Sequence, residues 1–216
     1  IRMLLPFSDK WMRLDITNVV DPVIWVILAL AVAGPGIIRM VNSEVGAKQS
    51  SGPRTGWAWF ALIAVLGYNF ARYNSHEEVI AQLNSRLYRG ATADEIWAFP
   101  DSFGTLKWRG LVRNDTTYFE IPVLYNGYYN FNISDAEREY AAGESPMMDA
   151  AAKTREFEAM QRFDQVPLWK LSPIGDTVKV ELVDMRFGTF RKPGLVATAL
   201  VEPNGKVTES RVGFRP

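Results

Sequence analysis

Residues 22–38 read PVIWVILALAVAGPGII, a run of 17 residues without a charged side chain. A run of this length lies at the short end of what crosses a bilayer as a helix. Asp21 and Pro22 make a favourable helix start, because the carboxylate can accept hydrogen bonds from free amides and proline loses none at the first position. The run has no polar face, which favours a membrane span over the buried core helix of a soluble protein. The Gly-Pro-Gly triplet at 34–36 is expected to break or kink its far end.

A second apolar run follows at 57–71, WAWFALIAVLGYNFA. Tryptophans lead it, and Tyr68, Arg72 and Tyr73 close it, a pattern of aromatic and cationic anchors that is typical of a membrane interface. It predicts a second span. Apolar residues then recur at helical spacing and predict that the helix continues, now amphipathic, to about residue 89: Val79, Ile80, Leu83 and Leu87.

The connection at 39–56 is polar and rich in Gly and Ser, so the two runs predict a helical hairpin with both outer ends on one side of the bilayer. The connection carries three Lys or Arg and the outer flanks carry six. Because cytoplasmic flanks are enriched in these residues, the count favours cytoplasmic outer ends. Residues 1–90 therefore form the expected membrane region, with an interfacial segment before the first span.

After about residue 91 the pattern changes to short β-type runs separated by turn residues. Asn-Gly at 126–127 and again at 204–205 tolerates the positive φ of hairpin turns. The expected fold is a membrane α-helical hairpin of two transmembrane helices, followed at 91–216 by a β-rich α+β extramembrane domain with one inserted helix at about 146–163. The predicted strands are 95–99, 106–112, 117–124, 128–133, 166–171, 177–186, 194–202 and 206–214.

Composition excludes several kinds of site. The 216 residues hold no Cys, which rules out disulfides, zinc ribbons, iron–sulfur sites and thiol nucleophiles. One histidine, His76, leaves no three-histidine zinc site. The 24 basic and 24 acidic residues balance, so no nucleic-acid partner is expected. The chain opens in mid-pattern at Ile1, which predicts a fragment or a processed product.

Three acids precede the first span: Asp9, Asp15 and Asp21. Metal chemistry in this chain would depend on such carboxylates, and a segment lying at the membrane surface could bring two of them to one ion. The spacing favours an ordinary interpretation, in which Asp21 is the helix N-cap and the others are solvated.

Other polar and aromatic residues have structural interpretations too. His76 is expected to be a solvated interfacial residue, although Glu77 follows it. Asp184 and Arg186 share one face of a predicted strand and could form an ion pair. The aromatic residues of the middle of the chain favour a sheet core over a ligand groove or a stacking platform: Trp97, Phe99, Trp108, Tyr118, Phe119, Tyr125, Tyr128, Tyr129 and Phe131.

Four phrases occur in a characteristic order: LLPFSDKWMRLDITNVVDPVIW at 4–25, FPDSFGTLKWRGLVRNDTTYF at 99–119, FDQVPLW at 163–169 and VELVDMRFG at 180–188. Together they resemble the C-terminal part of the YdjM-like family of bacterial inner-membrane proteins, described as metal-dependent hydrolases and as LexA-binding. The resemblance covers nearly the whole chain.

The resemblance implies a multi-pass membrane protein whose earlier helices carry a metal site of His and Asp. The matching positions in this chain are Pro6, Phe7, Ser8, Asp15 and Asp21. The family's His-rich motif has no counterpart here, so a divalent metal would be held mainly by residues before Ile1, with Asp15 and Asp21 at its edge. A metal-activated water would then attack an ester, and the β domain would shape access.

The alternative is a non-catalytic accessory subunit anchored in the membrane, whose helices and β domain pack on a larger membrane complex. Small residues in both apolar runs would allow close helix packing. Expected partners are thus the lipid bilayer and other membrane subunits. The LexA-binding label also implies a soluble regulator, which the apolar runs do not support.

Overall fold

The computed structural model of the protein describes residues 14–18, 20–45, 55–101 and 106–215. Helix α1 is Pro22–Glu44 and helix α2 is Thr55–Asn84. At a rise of about 1.5 Å per residue, α1 is roughly 35 Å long and α2 roughly 45 Å long. Both helices are therefore longer than the apolar runs within them.

The expected break at 34–36 is wrong, because α1 continues through Pro35 and ends at Glu44. A proline within a helix removes one backbone hydrogen bond, while the rest of the ladder can persist on both sides. The helix begins where the sequence predicts. Asp21 accepts hydrogen bonds from the amides of Val23 at 2.9 Å and Ile24 at 3.3 Å.

Helix α2 ends at Asn84, and the prediction that it reaches about residue 89 is wrong. A tight turn replaces the last helical turn: Tyr88 pairs with Ala91, and the Tyr88 hydroxyl donates to the Leu83 carbonyl at 2.8 Å. Gly90 has a φ of 87°, which glycine adopts without strain. The apolar spacing still describes the helical part, since Leu83 is fully buried.

Of the helices described, α1 alone is long and apolar enough throughout to cross a membrane. Only 6% of its most apolar 18 residues are buried within the part of the chain that the structure describes. The apolar run of α2 is shorter and includes Asn69 before Arg72. A span in α2 stays a prediction.

The chain divides into two compact units. The first comprises Ile1–Gln82, Ala98–Arg109 and Val123–Asn130, and the second comprises Leu83–Trp97, Gly110–Pro122 and Phe131–Pro216.

The β-rich residues form two sheets, as the α+β prediction requires. The first sheet has the strand order β1-β2-β3-β4, and β5 pairs antiparallel with β3. Predicted strand 128–133 shortens to two residues, and a 3-10 helix at Ile133–Asp135, capped by Asn132, replaces its end. The strands are β1 Glu95–Pro100, β2 Lys107–Asn114, β3 Thr117–Tyr125, β4 Tyr129–Asn130 and β5 Glu137–Tyr140.

The second sheet is an antiparallel meander of strands that follow one another in the chain. The ends of its strands fall within a few residues of the predicted positions, because turn residues separate consecutive strands. Gly175 and Gly205, in two of these turns, both have positive φ. The strands are β6 Pro167–Ile174, β7 Thr177–Gly188, β8 Pro193–Val201 and β9 Val207–Phe214.

The single helix predicted at 146–163 is two helices, α3 Pro146–Ala152 and α4 Arg155–Phe163. Thr154 causes the break, since its hydroxyl and its amide both donate to the Ala151 carbonyl and so end α3. Ser145 caps α3 by accepting from the Met148 amide. Both helices contribute to the core of the meander, which contains Ala151, Phe157, Met160, Val180, Leu182, Ala197, Ala199 and Val201.

Most aromatic residues of the middle of the chain are buried, as a sheet core requires, and Tyr125 and Tyr128 are exposed.

We predict that Gly188→Ala destabilises the protein by about 3 kcal/mol or more, because the backbone there has a φ of 94° and a Cβ would lie 2.2 Å from the Lys192 carbonyl oxygen. Gly175→Ala is the matched control. Its φ is also positive, but a Cβ meets nothing within 4 Å, so the cost is about 1–2 kcal/mol. Urea unfolding monitored by circular dichroism measures both. Equal losses would contradict the role of crowding at Gly188.

Candidate functional site

Both long helices present large apolar side chains to their surroundings. Exposed apolar surface costs about 25 cal/mol per Å² in water, and contiguous patches of this extent mark membrane or protein contacts. Val32, midway along α1, is 84% exposed. The exposed set on α1 is Trp25, Val26, Leu28, Leu30, Val32, Ile37, Ile38, Met40 and Val41, and on α2 it is Trp59, Phe60, Leu62, Ile63, Leu66 and Phe70.

Two contacts within the first unit hold these helices side by side. The Tyr68 hydroxyl of α2 donates to Asp21 Oδ2 at 2.9 Å, where α1 begins. Gly34 of α1 lies against Trp57, and a Cβ there would come within 2.8 Å of the indole ring. From the first contact to the second, the residue number rises along α1, from 21 to 34, and falls along α2, from 68 to 57. The two helices therefore run antiparallel.

Asp21 is fully occupied by this structural role. Its Oδ1 accepts two backbone hydrogen bonds at the start of α1, and its Oδ2 accepts the tyrosine hydroxyl. The residue is 7% exposed. A buried carboxylate satisfied by three donors stabilises the helix start and the helix contact together. The ordinary interpretation of Asp21 as an N-cap is therefore what the structure shows.

Asp15 lies in a short segment that packs on α2. Its φ is 49°, a conformation uncommon for residues other than glycine. The carbonyl of the next residue, Ile16, accepts a hydrogen bond from Arg72 Nε at 2.9 Å. The Arg72 guanidinium is buried and lies 4.1 Å from the centroid of the Trp108 ring.

Metal ligands do not gather in the described part of the chain. Across residues 14–18, 20–45, 55–101 and 106–215, no three His, Asp or Glu side chains come close enough to hold an ion. Asp9 and the motif residues Pro6, Phe7 and Ser8 lie outside these ranges.

His76 differs from its prediction. Its side chain is 16% exposed, because its ring packs edge-on against Trp108 with 5.6 Å between centroids. Its Nδ1 lies 3.4 Å from Glu77 Oε1. The expectation of a solvated interfacial histidine is wrong, since sequence spacing could not show the indole that covers it.

The second unit contains a buried acidic cluster that we define as Asp164, Asp184 and Arg186. Asp184 is completely buried, and Arg186 Nε donates to both of its carboxylate oxygens at 2.9 Å. The Arg186 guanidinium also donates to the Phe163 carbonyl at 2.9 Å. The structure thus forms the ion pair that the shared strand face allowed.

Aromatic rings enclose the cation of this cluster. The Arg186 guanidinium lies 4.5 Å from the Phe163 ring centroid and 5.3 Å from that of Phe187. The two rings are nearly parallel, with an interplanar angle of 12°. Apolar walls of this kind exclude water and strengthen the ion pair.

Asp164 completes the cluster and has a perturbed acidity. Its Oδ1 accepts from the Val166 amide at 2.8 Å, whereas its Oδ2 is buried and receives no hydrogen bond from any residue the structure describes. Burial first, and then the negative charge of Asp184, raise the pKa of Asp164 to about 7. A protonated Asp164 can donate a hydrogen bond to its neighbour, so the cluster can hold a proton at neutral pH.

Sequence reasoning found Asp184 and Arg186 but missed Asp164, which lies 20 residues earlier in the chain. The signal was present: Asp164 belongs to the phrase at 163–169, and the other two belong to the phrase at 180–188. The amide of Met185 donates to the Val166 carbonyl at 3.1 Å, which brings the two phrases side by side.

Comparison with protein-family models, curated proteins and solved structures finds no match for this chain.

We predict that Asp21→Asn leaves the thermal stability within about 0.5 kcal/mol of wild type, because the asparagine Oδ1 is an equally good N-cap and its Nδ2, in place of Oδ2, can donate to the Tyr68 hydroxyl oxygen. Asp21→Ala leaves the two helix amides and the Tyr68 hydroxyl without their acceptor and costs about 1–3 kcal/mol. Thermal unfolding in mild detergent measures both. A loss for Asn as large as that for Ala would show that the charge, rather than the cap, is what the fold requires.

A second prediction concerns pH. Because the folded-state pKa of Asp164 lies above its ordinary value of 3.8, its contribution to stability is complete below about pH 4 and is lost as the pH rises to about 7. Relative to Asp164→Asn, wild type should lose up to about 1.4 kcal/mol per pH unit across this window. Denaturant unfolding at a series of pH values measures the difference. Asp176→Asn, at an exposed turn, controls for the loss of one charge, and parallel profiles for wild type and Asp164→Asn would refute the assignment.

Proposed function

We propose that this chain is a membrane-anchored protein whose helices α1 and α2 cross the bilayer as an antiparallel hairpin, with the β-rich residues outside it. The observation that carries this proposal is the exposure of large apolar side chains along both helices, while the Tyr68–Asp21 hydrogen bond and a close Gly34–Trp57 contact hold the two together. Hydrocarbon is the environment that such a surface prefers.

The ends of the helices fit a membrane interface. Trp57 and Trp59 stand at one end of the apolar part of α2, and Tyr68 and Tyr73 stand at the other. Tryptophan and tyrosine favour the headgroup level of a bilayer. At the same level as Tyr68, α1 begins with Asp21, so both outer ends lie on one side. The Lys and Arg count favours the cytoplasm for that side.

We extend the proposal to the YdjM-like family and the bacterial inner membrane. Its support is that two of the four characteristic phrases converge on the buried acidic cluster, as expected if they are parts of one structural feature. Hydrolysis in that family would use a divalent metal to activate water. In this chain Asp21 would position the helix pair beside the metal site and would not bind the metal itself, since its oxygens accept from helix amides and Tyr68.

An accessory subunit is the second candidate. It is favoured by the same low burial of α1, because a helix with 6% of its apolar window buried has room for partner helices as well as lipid. Extraction in gentle detergent distinguishes the two candidates. A stable stoichiometric complex supports the subunit, and a lone polypeptide supports the self-contained membrane protein.

Val32→Asp tests the anchor, because a carboxylate at the middle of a span costs about 2.5–3.5 kcal/mol of insertion free energy. We expect at least a tenfold fall in the protein recovered from alkali-washed membranes, measured by immunoblot of the membrane and soluble fractions. Ile174→Asp is the matched control, since Ile174 is an exposed apolar residue at a turn of the second sheet. Recovery of the wild type in the soluble fraction after the wash would overturn the proposal.

A further inference from the structure

Four exposed apolar side chains lie on two turns of the first unit: Leu106, Leu124, Tyr125 and Tyr128. Their exposed fractions are 54%, 42%, 41% and 59%. Leu106 precedes β2, and the other three lie at the turn between β3 and β4. We call this set the Leu-Tyr patch.

The two turns form one surface. The Tyr125 amide donates to the Leu106 carbonyl at 3.2 Å, and the Asn126 amide donates to the Tyr128 carbonyl at 3.1 Å. The Tyr125 ring packs on the buried ring of Tyr129 with 5.0 Å between centroids. The patch is therefore supported from beneath.

The patch is tied to the outer end of the helix pair within the same unit. Asn18, three residues before Asp21, donates its side-chain amide to the Asp101 carbonyl at 2.6 Å, on the segment that leads to Leu106. Two residues after Leu106, Trp108 lies under the Arg72 guanidinium. Asp21 and Arg72 flank the proposed spans, so these contacts hold the patch near the level where both helices leave the bilayer.

We propose that the Leu-Tyr patch rests in the headgroup region of the bilayer beside the hairpin, as a second membrane contact. This inference rests on the proposed hairpin, because the Asn18–Asp101 and Arg72–Trp108 contacts bring the patch to the headgroups only if the helices cross the bilayer. Tyrosine suits the headgroup region, since its ring is apolar and its hydroxyl is polar, and leucine adds buried apolar area. The neighbouring Lys107 is exposed and would meet anionic headgroups.

The absence of cysteine from the sequence makes a clean depth measurement possible. Four single-cysteine variants, each carrying a nitroxide label, are placed in vesicles of phosphatidylethanolamine and phosphatidylglycerol. Val32→Cys reports on the hairpin, Tyr128→Cys on the patch, and Ile174→Cys on an exposed apolar turn of the second sheet. Spectra recorded with oxygen, which concentrates in lipid, and with a nickel chelate, which stays in water, give the depth of each label. Circular dichroism checks that each variant is folded, and Leu106→Cys provides a second position in the patch.

We expect a deep label at Val32, a label at headgroup depth at Tyr128 and at Leu106, and a water-exposed label at Ile174, with an oxygen-to-nickel collision ratio several-fold higher at Tyr128 than at Ile174. A deep Val32 label with equal ratios at Tyr128 and Ile174 would overturn the patch and leave the hairpin standing. A water-exposed Val32 label would overturn the hairpin itself. Low collision with both reagents at Tyr128 would indicate a protein neighbour and would also overturn the lipid contact.

Discussion

The carboxylate of Asp21 is the group on which the helix pair depends. A helix that begins at a buried position leaves its first amides without water, and an unsatisfied buried amide costs about 1–3 kcal/mol. One oxygen of Asp21 satisfies two of these amides, and the other binds Tyr68 from the neighbouring helix. The start of α1 and the alignment of α2 are thus fixed by one side chain, and the Gly34–Trp57 contact then fixes the opposite end. The apolar faces that remain are what the surroundings must cover.

The buried acidic cluster has the corresponding role in the second unit. It joins the segment that ends α4 to the middle of β7 through Arg186, which bonds the Phe163 carbonyl and the Asp184 carboxylate together. Two acids and one cation leave one negative charge to be neutralised, and burial makes a proton the available means. The cluster is therefore specific in geometry and sensitive to pH.

Much of the β-rich part could be predicted from the sequence because turn residues are local signals. Asn-Gly at 126–127 and 204–205 marks hairpins wherever it occurs, and the strands on each side followed within a few residues. The break between α3 and α4 could not be predicted, since it depends on whether the Thr154 hydroxyl turns back to Ala151. The buried acidic cluster was likewise predictable only in part. Alternation along a strand places Asp184 beside Arg186, but only the tertiary pairing of Val166 with Met185 adds Asp164.

The meander of the second sheet has a consequence for the order in which the chain acquires structure. Each of its strands pairs only with the strand before or after it, and α3 and α4 lie immediately upstream of β6. Contacts between near neighbours in sequence close short loops, which form quickly. During synthesis, helices α1 and α2 leave the ribosome before residues 167–214 complete the sheet. The four strands of the meander then emerge one after another, and each can pair with the strand before it as soon as both have left the ribosome.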